Sequence, residues 1–128
     1  NFKVRKLAEK KILLELKKNK IDLICLAGFM KILSKNFINK FKGKILNIHP
    51  SLLPKFKGLN THERALKNKE KFSGCTVHYV NSKLDSGEVI LQKKVKIIKG
   101  ETSKTLRDKI LKQEHKLYPE AIKMIFNS

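Results

Sequence analysis

The six residues Lys44-Ile45-Leu46-Asn47-Ile48-His49 have the apolar density of a β-strand, and Pro50 follows them directly. Proline cannot donate to a strand ladder and disfavours helix in the residue before it, so the strand has to end at His49. Alternate side chains of a strand share a face, which puts Asn47 and His49 together at the carboxyl end. Open α/β sheets bind their ligands at that end. Some thirty-odd positions on, Leu84-Asp85-Ser86-Gly87 offers a loop carboxylate. An amide donor beside an imidazole, with a carboxylate to orient the ring, can manage a tetrahedral oxyanion and its proton transfers.

The rest of the chain reads as alternating helices and strands. Leu7, Ala8 and Leu14, with Lys between them, predict a helix ending near Asn19-Lys20. The run Ile21 to Ala27, apolar apart from Asp22, predicts a central, parallel strand. Ser34 caps a short helix carrying Phe37, Ile38 and Phe41, and Gly43 ends it. Asn60 with Glu63 three positions on predicts a capping box that opens a helix through Ala65 and Leu66. Ser73 to Val80 and Glu88 to Ile98 read as strands joined by the Asn81 to Gly87 loop. Thr102 or Ser103 starts the last long helix, and Pro119 begins a further turn or helix. No repeat, low-complexity linker or break in composition divides the chain, so residues 1–128 are expected to form a single, partial domain.

Composition narrows the function class. At 41% hydrophobic residues the chain is globular, and no apolar run approaches the length of a membrane span. The opening Asn1-Phe2-Lys3-Val4-Arg5 leads into a Lys-rich amphipathic stretch and not a signal-peptide core, so cytoplasmic residence is expected. Cys25 and Cys75 lie in apolar runs without a second ligand at metal spacing, which predicts buried free thiols and no metal site. A formal charge of +19 raises the question of nucleic acid. Against that, Lys occurs in every block of ten except 21–30, while Arg is limited to Arg5, Arg64 and Arg107. An even excess of Lys, Ile and Asn, all encoded by A/T-rich codons, points to base composition and not to a binding patch. The charges would still help recruit anionic small molecules.

Several blocks, in one order, carry a resemblance. They are Asp22 to Ser34, Asn47 to Pro54, Gly58-Leu59-Asn60-Thr61-His62, Gly74-Cys75-Thr76-Val77-His78, Leu84 to Gln92, and Gln113 to Pro119. Together they resemble the phosphoribosylglycinamide formyltransferases of the folate-dependent formyltransferase family. The wider family also holds methionyl-tRNA formyltransferases and formyltetrahydrofolate deformylases, which share the Asn, His and Asp. The Lys57 to His62 segment and the Ala27-Gly28-Phe29-Met30 run favour the glycinamide enzyme. The implied fold is a Rossmann-like three-layer α/β/α arrangement whose mostly parallel sheet has an antiparallel C-terminal portion. Family members are longer, and their opening strands and glycine-rich phosphate-binding turn have no counterpart here, so the chain resembles a C-terminal portion.

The resemblance implies formyl transfer from 10-formyltetrahydrofolate to the amine of phosphoribosylglycinamide, without a metal or covalent enzyme intermediate. Asn47, His49 and Asp85 would be catalytic, Asp85 holding the imidazole in its charged form. Arg5, Met30, Lys31, Ile32, Leu33, Asn47, Asn81, Ser82, Lys83, Leu84 and Asp85 would meet the folate. Lys31 stands where relatives often have Arg. Leu111, Lys112, Gln113 and Glu114 would face the glycinamide substrate, and a cis peptide is implied at Pro54. Read without the resemblance, Asp85 is equally a turn residue. Phe29 and Met30 are equally core packing, and His62, His78 and His115 have structural roles at least as well supported as functional ones. Another formyl-transfer enzyme of the family and a basic nucleic-acid-binding module are the alternatives. The first would change only the acceptor; the second would ignore Asn47, His49 and Asp85.

Overall fold

The computed structural model describes residues 2–28 and 33–127. Its elements in chain order are α1 (Phe2–Lys18), β1 (Leu23–Leu26), α2 (Lys35–Lys40), β2 (Lys44–His49), α3 (Thr61–Lys67), β3 (Phe72–Tyr79), β4 (Val89–Lys96) and α4 (Ser103–Phe126). The strands form one mixed sheet in the order β1-β2-β3-β4. β1 runs parallel to β2, while β2–β3 and β3–β4 are antiparallel. The antiparallel C-terminal portion is therefore present, and parallel pairing among the described residues is confined to β1 with β2.

Strand alternation sends apolar residues to both faces of the sheet, and each face has its own helices. On one side Ile48, Cys75, Val77 and Val95 pack against Leu106, Ile110, Leu117 and Ala121 of α4. On the other, Ile45 packs with Phe37 and Phe41, backed by Leu13 and Leu16 of α1. Three layers result. Burying side chains the size of Leu106 and Ile110, both fully enclosed, stabilises the fold by about 1.5–3 kcal/mol each.

Helix ends follow local chemistry in two places. The Ser34 hydroxyl accepts from the Phe37 N–H at 3.0 Å and starts α2. Thr102 and Thr105 form a reciprocal capping box at the start of α4.

Four expectations need correction. Among the described residues β1 stands at the edge of the sheet and not in its centre, because only β2 pairs with it. Cys25 is consequently exposed: Ile24 and Leu26 face the α1/α2 layer, whereas Cys25 points to the opposite face, where α4 packs chiefly over β3 and β4. Asn60 makes no side-chain cap, since its backbone is left-handed (φ 56°) where a capping residue is extended. Pro119 starts no new element and lies inside α4. Leu106, Ile110, Leu117 and Ala121 recur at helical spacing on one buried face, and that burial outweighs the one backbone bond proline removes.

Candidate active site

β2 delivers Asn47 and His49 to the same face of the sheet at its carboxyl end, two residues apart. Across the β2–β3 ladder they lie opposite His78 and Thr76. Beyond β3, the loop over residues 80–88 turns back and brings Asp85 in. Asp85 takes a left-handed backbone (φ 48°), and its carboxylate is only 7% exposed. Gly87 lets this loop close, because a Cβ there would sit 1.6 Å from the Tyr79 carbonyl oxygen.

The side chains converge. His49 Nδ1 is 3.5 Å from Asp85 Oδ2, and the Gly58 N–H donates to the same oxygen at 2.9 Å. His49 Nε2 faces the Phe56 carbonyl at 2.9 Å. Both ring nitrogens thus look at acceptors, an arrangement that an imidazolium, donating at each, satisfies in full. His78 Nε2 lies 3.4 Å from Asn47 Nδ2 and 3.8 Å from Asp85 Oδ1. Burial pushes the His78 imidazole below its ordinary pKa, against the hydrogen bond to the Tyr79 carbonyl and the charge of Asp85, which raise it. A buried Asn47 Oδ1 has no hydrogen-bond partner among the described residues.

The loop that follows β2 is held from below. Thr76 Oγ1 donates to the Ser51 carbonyl at 2.7 Å and accepts from the Leu53 N–H at 3.1 Å. Gln92 Nε2 donates to the Leu53 carbonyl at 2.9 Å and to Thr76 Oγ1 at 3.0 Å. The Leu53–Pro54 peptide is cis, as the resemblance implied. Lys57 Nζ donates to Ser86 Oγ at 2.9 Å, so this loop and the Asp85 loop are tied twice.

Other expected residues lie farther out. Arg5, on α1, reaches Glu9 at 4.0 Å, and Glu9 accepts from the Ser34 N–H at 3.0 Å; Leu33 packs on the same layer. Asn81 Oδ1 accepts from the Lys83 N–H at 2.9 Å within the Asp85 loop, where Ser82 and Leu84 are exposed. Met30, Lys31 and Ile32 lie outside the described residues. Leu111, Lys112, Gln113 and Glu114 sit on α4, and no hydrogen bond or ion pair among the described residues joins them to Asn47, His49 or Asp85. Burial pushes the Glu114 carboxyl up to about 7, and burial, with a smaller contribution from the Glu114 charge, raises the Cys75 thiol to about 12. His62 feels both His49 and Arg107, but burial is the main cause lowering its pKa.

His78 was the site residue that chain position alone hid: its claim rests on cross-strand register with Asn47. A groove of about 540 Å³ between α1 and α2, with Leu13, Leu14, Ile21 and Phe41 beneath lysines, shares no residue with the cluster. Among the described residues no helix is long and apolar enough to cross a membrane, and no group of three or more His, Cys, Asp or Glu could hold a metal ion.

Comparison with known proteins identifies the family. Residues 1–122 match the family model described as formyl transferase. The human trifunctional purine biosynthetic protein adenosine-3 is 50% identical over 105 residues, covering 82% of this chain and 10% of that protein. Phosphoribosylglycinamide formyltransferase of Escherichia coli is 42% identical over 121 residues, 94% of this chain and 57% of its own. The crystal structure of the Brucella melitensis phosphoribosylglycinamide formyltransferase superposes with a TM-score of 0.88 at 48% identity, covering 94% of this chain and 62% of that one. The chain thus spans a little over half the length of these single-function relatives.

Proposed function

The chain belongs to the formyl transferase family, and from that membership and the site geometry we propose that its protein transfers a formyl group from 10-formyltetrahydrofolate to the amine of phosphoribosylglycinamide, a step of purine biosynthesis. The observation that carries this reading is the convergence of Asn47, His49 and Asp85 at the carboxyl end of β2. The glycinamide acceptor is favoured over other acceptors by the relatives, which bear that enzyme's name.

The amine nitrogen attacks the formyl carbon, a new C–N bond forms, and negative charge develops on the formyl oxygen. Asn47 Nδ2 and a protonated His49 are preorganised donors for that charge. In the unliganded site the Phe56 carbonyl occupies His49 Nε2, so the formyl oxygen has to share or displace it. Collapse breaks the bond between the formyl carbon and the folate nitrogen. The proton lost by the amine reaches the departing nitrogen through His49 and Asp85, bridged by water. Asp85, 3.5 Å from Nδ1, keeps the imidazole oriented. Of the described residues, the folate lies against Arg5, Leu33 and residues 81–85, and Leu111 to Glu114 face the glycinamide.

An assay offering phosphoribosylglycinamide, methionyl-tRNA and water as competing formyl acceptors tests this. Formylated glycinamide as the dominant product supports the reading. Formylmethionyl-tRNA or free formate would reassign the acceptor within the family. Binding of nucleic acid that is steeply salt-dependent and indifferent to His49→Ala would replace the enzymatic reading altogether.

A further inference from the structure

Resting on the formyl-transfer reading, we propose that His78 is a positioning residue that accepts at Nε2 from the Asn47 amide and thereby fixes which end of that amide donates to the reacting formyl group. Three observations carry this. First, the β2–β3 register sets His78 directly opposite Asn47, so the two side chains share one face. Second, His78 Nδ1 is 2.9 Å from the carbonyl of Tyr79, and a carbonyl only accepts, so Nδ1 carries a proton. Third, the His78 side chain is 3% exposed, and burial favours the neutral ring.

A neutral ring with its proton on Nδ1 presents a lone pair at Nε2. The group 3.4 Å away must then be the Asn47 NH₂, because two acceptors would repel. Which way an asparagine amide points is ordinarily settled by its hydrogen-bond network. Here His78 settles it.

The consequence for chemistry is direct. Asn47 Nδ2 spends one proton on His78 and keeps the other for the formyl oxygen. Its Oδ1, buried and without a partner among the described residues, is left as an acceptor that the N–H of an attacking amine can satisfy. Were the amide reversed, the formyl oxygen would meet another oxygen and lose a donor.

The test has two arms. Ring-nitrogen NMR of the protein at neutral pH reads the tautomer without any need for activity: protonation at Nδ1 and a bare Nε2 are expected, and a proton on Nε2 overturns the proposal. The second arm compares His78→Gln, whose amide oxygen can restore an acceptor, with His78→Leu, which has none. In His78→Leu turnover should fall about tenfold or more, short of the effect of removing an oxyanion donor outright, with KM for both substrates unchanged. His78→Gln should recover most of the loss. Full turnover in His78→Leu, or equal losses in the two variants, overturns the proposal. If the leucine variant does not fold, the tautomer and the glutamine variant decide. A wild-type protein that transfers no formyl group removes the proposed function, and the tautomer still decides whether His78 orients Asn47.

Discussion

The Gly58 N–H donates to Asp85 Oδ2 at 2.9 Å, and the same oxygen lies 3.5 Å from His49 Nδ1. One carboxylate oxygen therefore joins the loop after β2, the loop after β3 and the end of the strand between the two helical layers. The position of the imidazole and the closure of the two loops are a single structural fact, and the variants below separate its charge from its shape.

Asp85→Asn keeps the shape and one acceptor oxygen while removing the charge. Formyl transfer should fall about a hundredfold or more, the range expected when a general acid loses the group that orients it. The thermal midpoint should change little. Steady-state kinetics and a melting curve check this; near-normal turnover would free His49 from any dependence on Asp85.

Gly87→Ala tests shape without touching charge. A Cβ at Gly87 meets the Tyr79 carbonyl oxygen at 1.6 Å, a distance that backbone must relieve by moving the 80–88 loop. Asp85 moves with it. Turnover should fall about tenfold or more, since displacements near 1 Å cost rates of that order or greater. A variant that melts lower but turns over normally would show that the loop carries Asp85 less rigidly than its hydrogen bonds imply.

Glu114 gives a pH dependence of stability. Burial raises its carboxyl from 4.5 to about 7 in the folded chain. The folded state therefore binds the proton more tightly than the unfolded state, and stability is greatest below the unfolded value. It falls as pH rises between 4.5 and about 7, and stays at the lower level above that. Glu114→Gln does not titrate. The melting temperature of the wild type relative to Glu114→Gln should drop between pH 5 and pH 8; a rise across that interval would contradict the burial assigned to Glu114.

What the sequence made legible were features set by neighbours in the chain. Pro50 ends β2, so the shared face of Asn47 and His49 could be read directly, and the structure keeps it. Ser34 and Thr102 cap their helices through residues three positions away. Features set by the third dimension were not legible. Apolarity marked Ile21 to Ala27 as a strand but could not say that, among the described residues, only one side of Leu23–Leu26 would be paired, which leaves Cys25 exposed. The Pro119 reading failed because the buried face of α4 spans it, and no local rule weighs Leu117 and Ala121 against a lost hydrogen bond. The place of His78 depended on register with a strand some thirty residues earlier.

The central claim is that Asn47 and His49 act together on one developing oxyanion, and a double-mutant cycle on formyl transfer to phosphoribosylglycinamide tests it most directly. Asn47→Ala and His49→Ala should each lower kcat about a hundredfold or more while folding is retained. The double variant should fall little further, because groups that serve one transition state as a unit are strongly non-additive. Losses that multiply in the double variant, or a wild-type protein that forms no formylglycinamide product, would contradict the account.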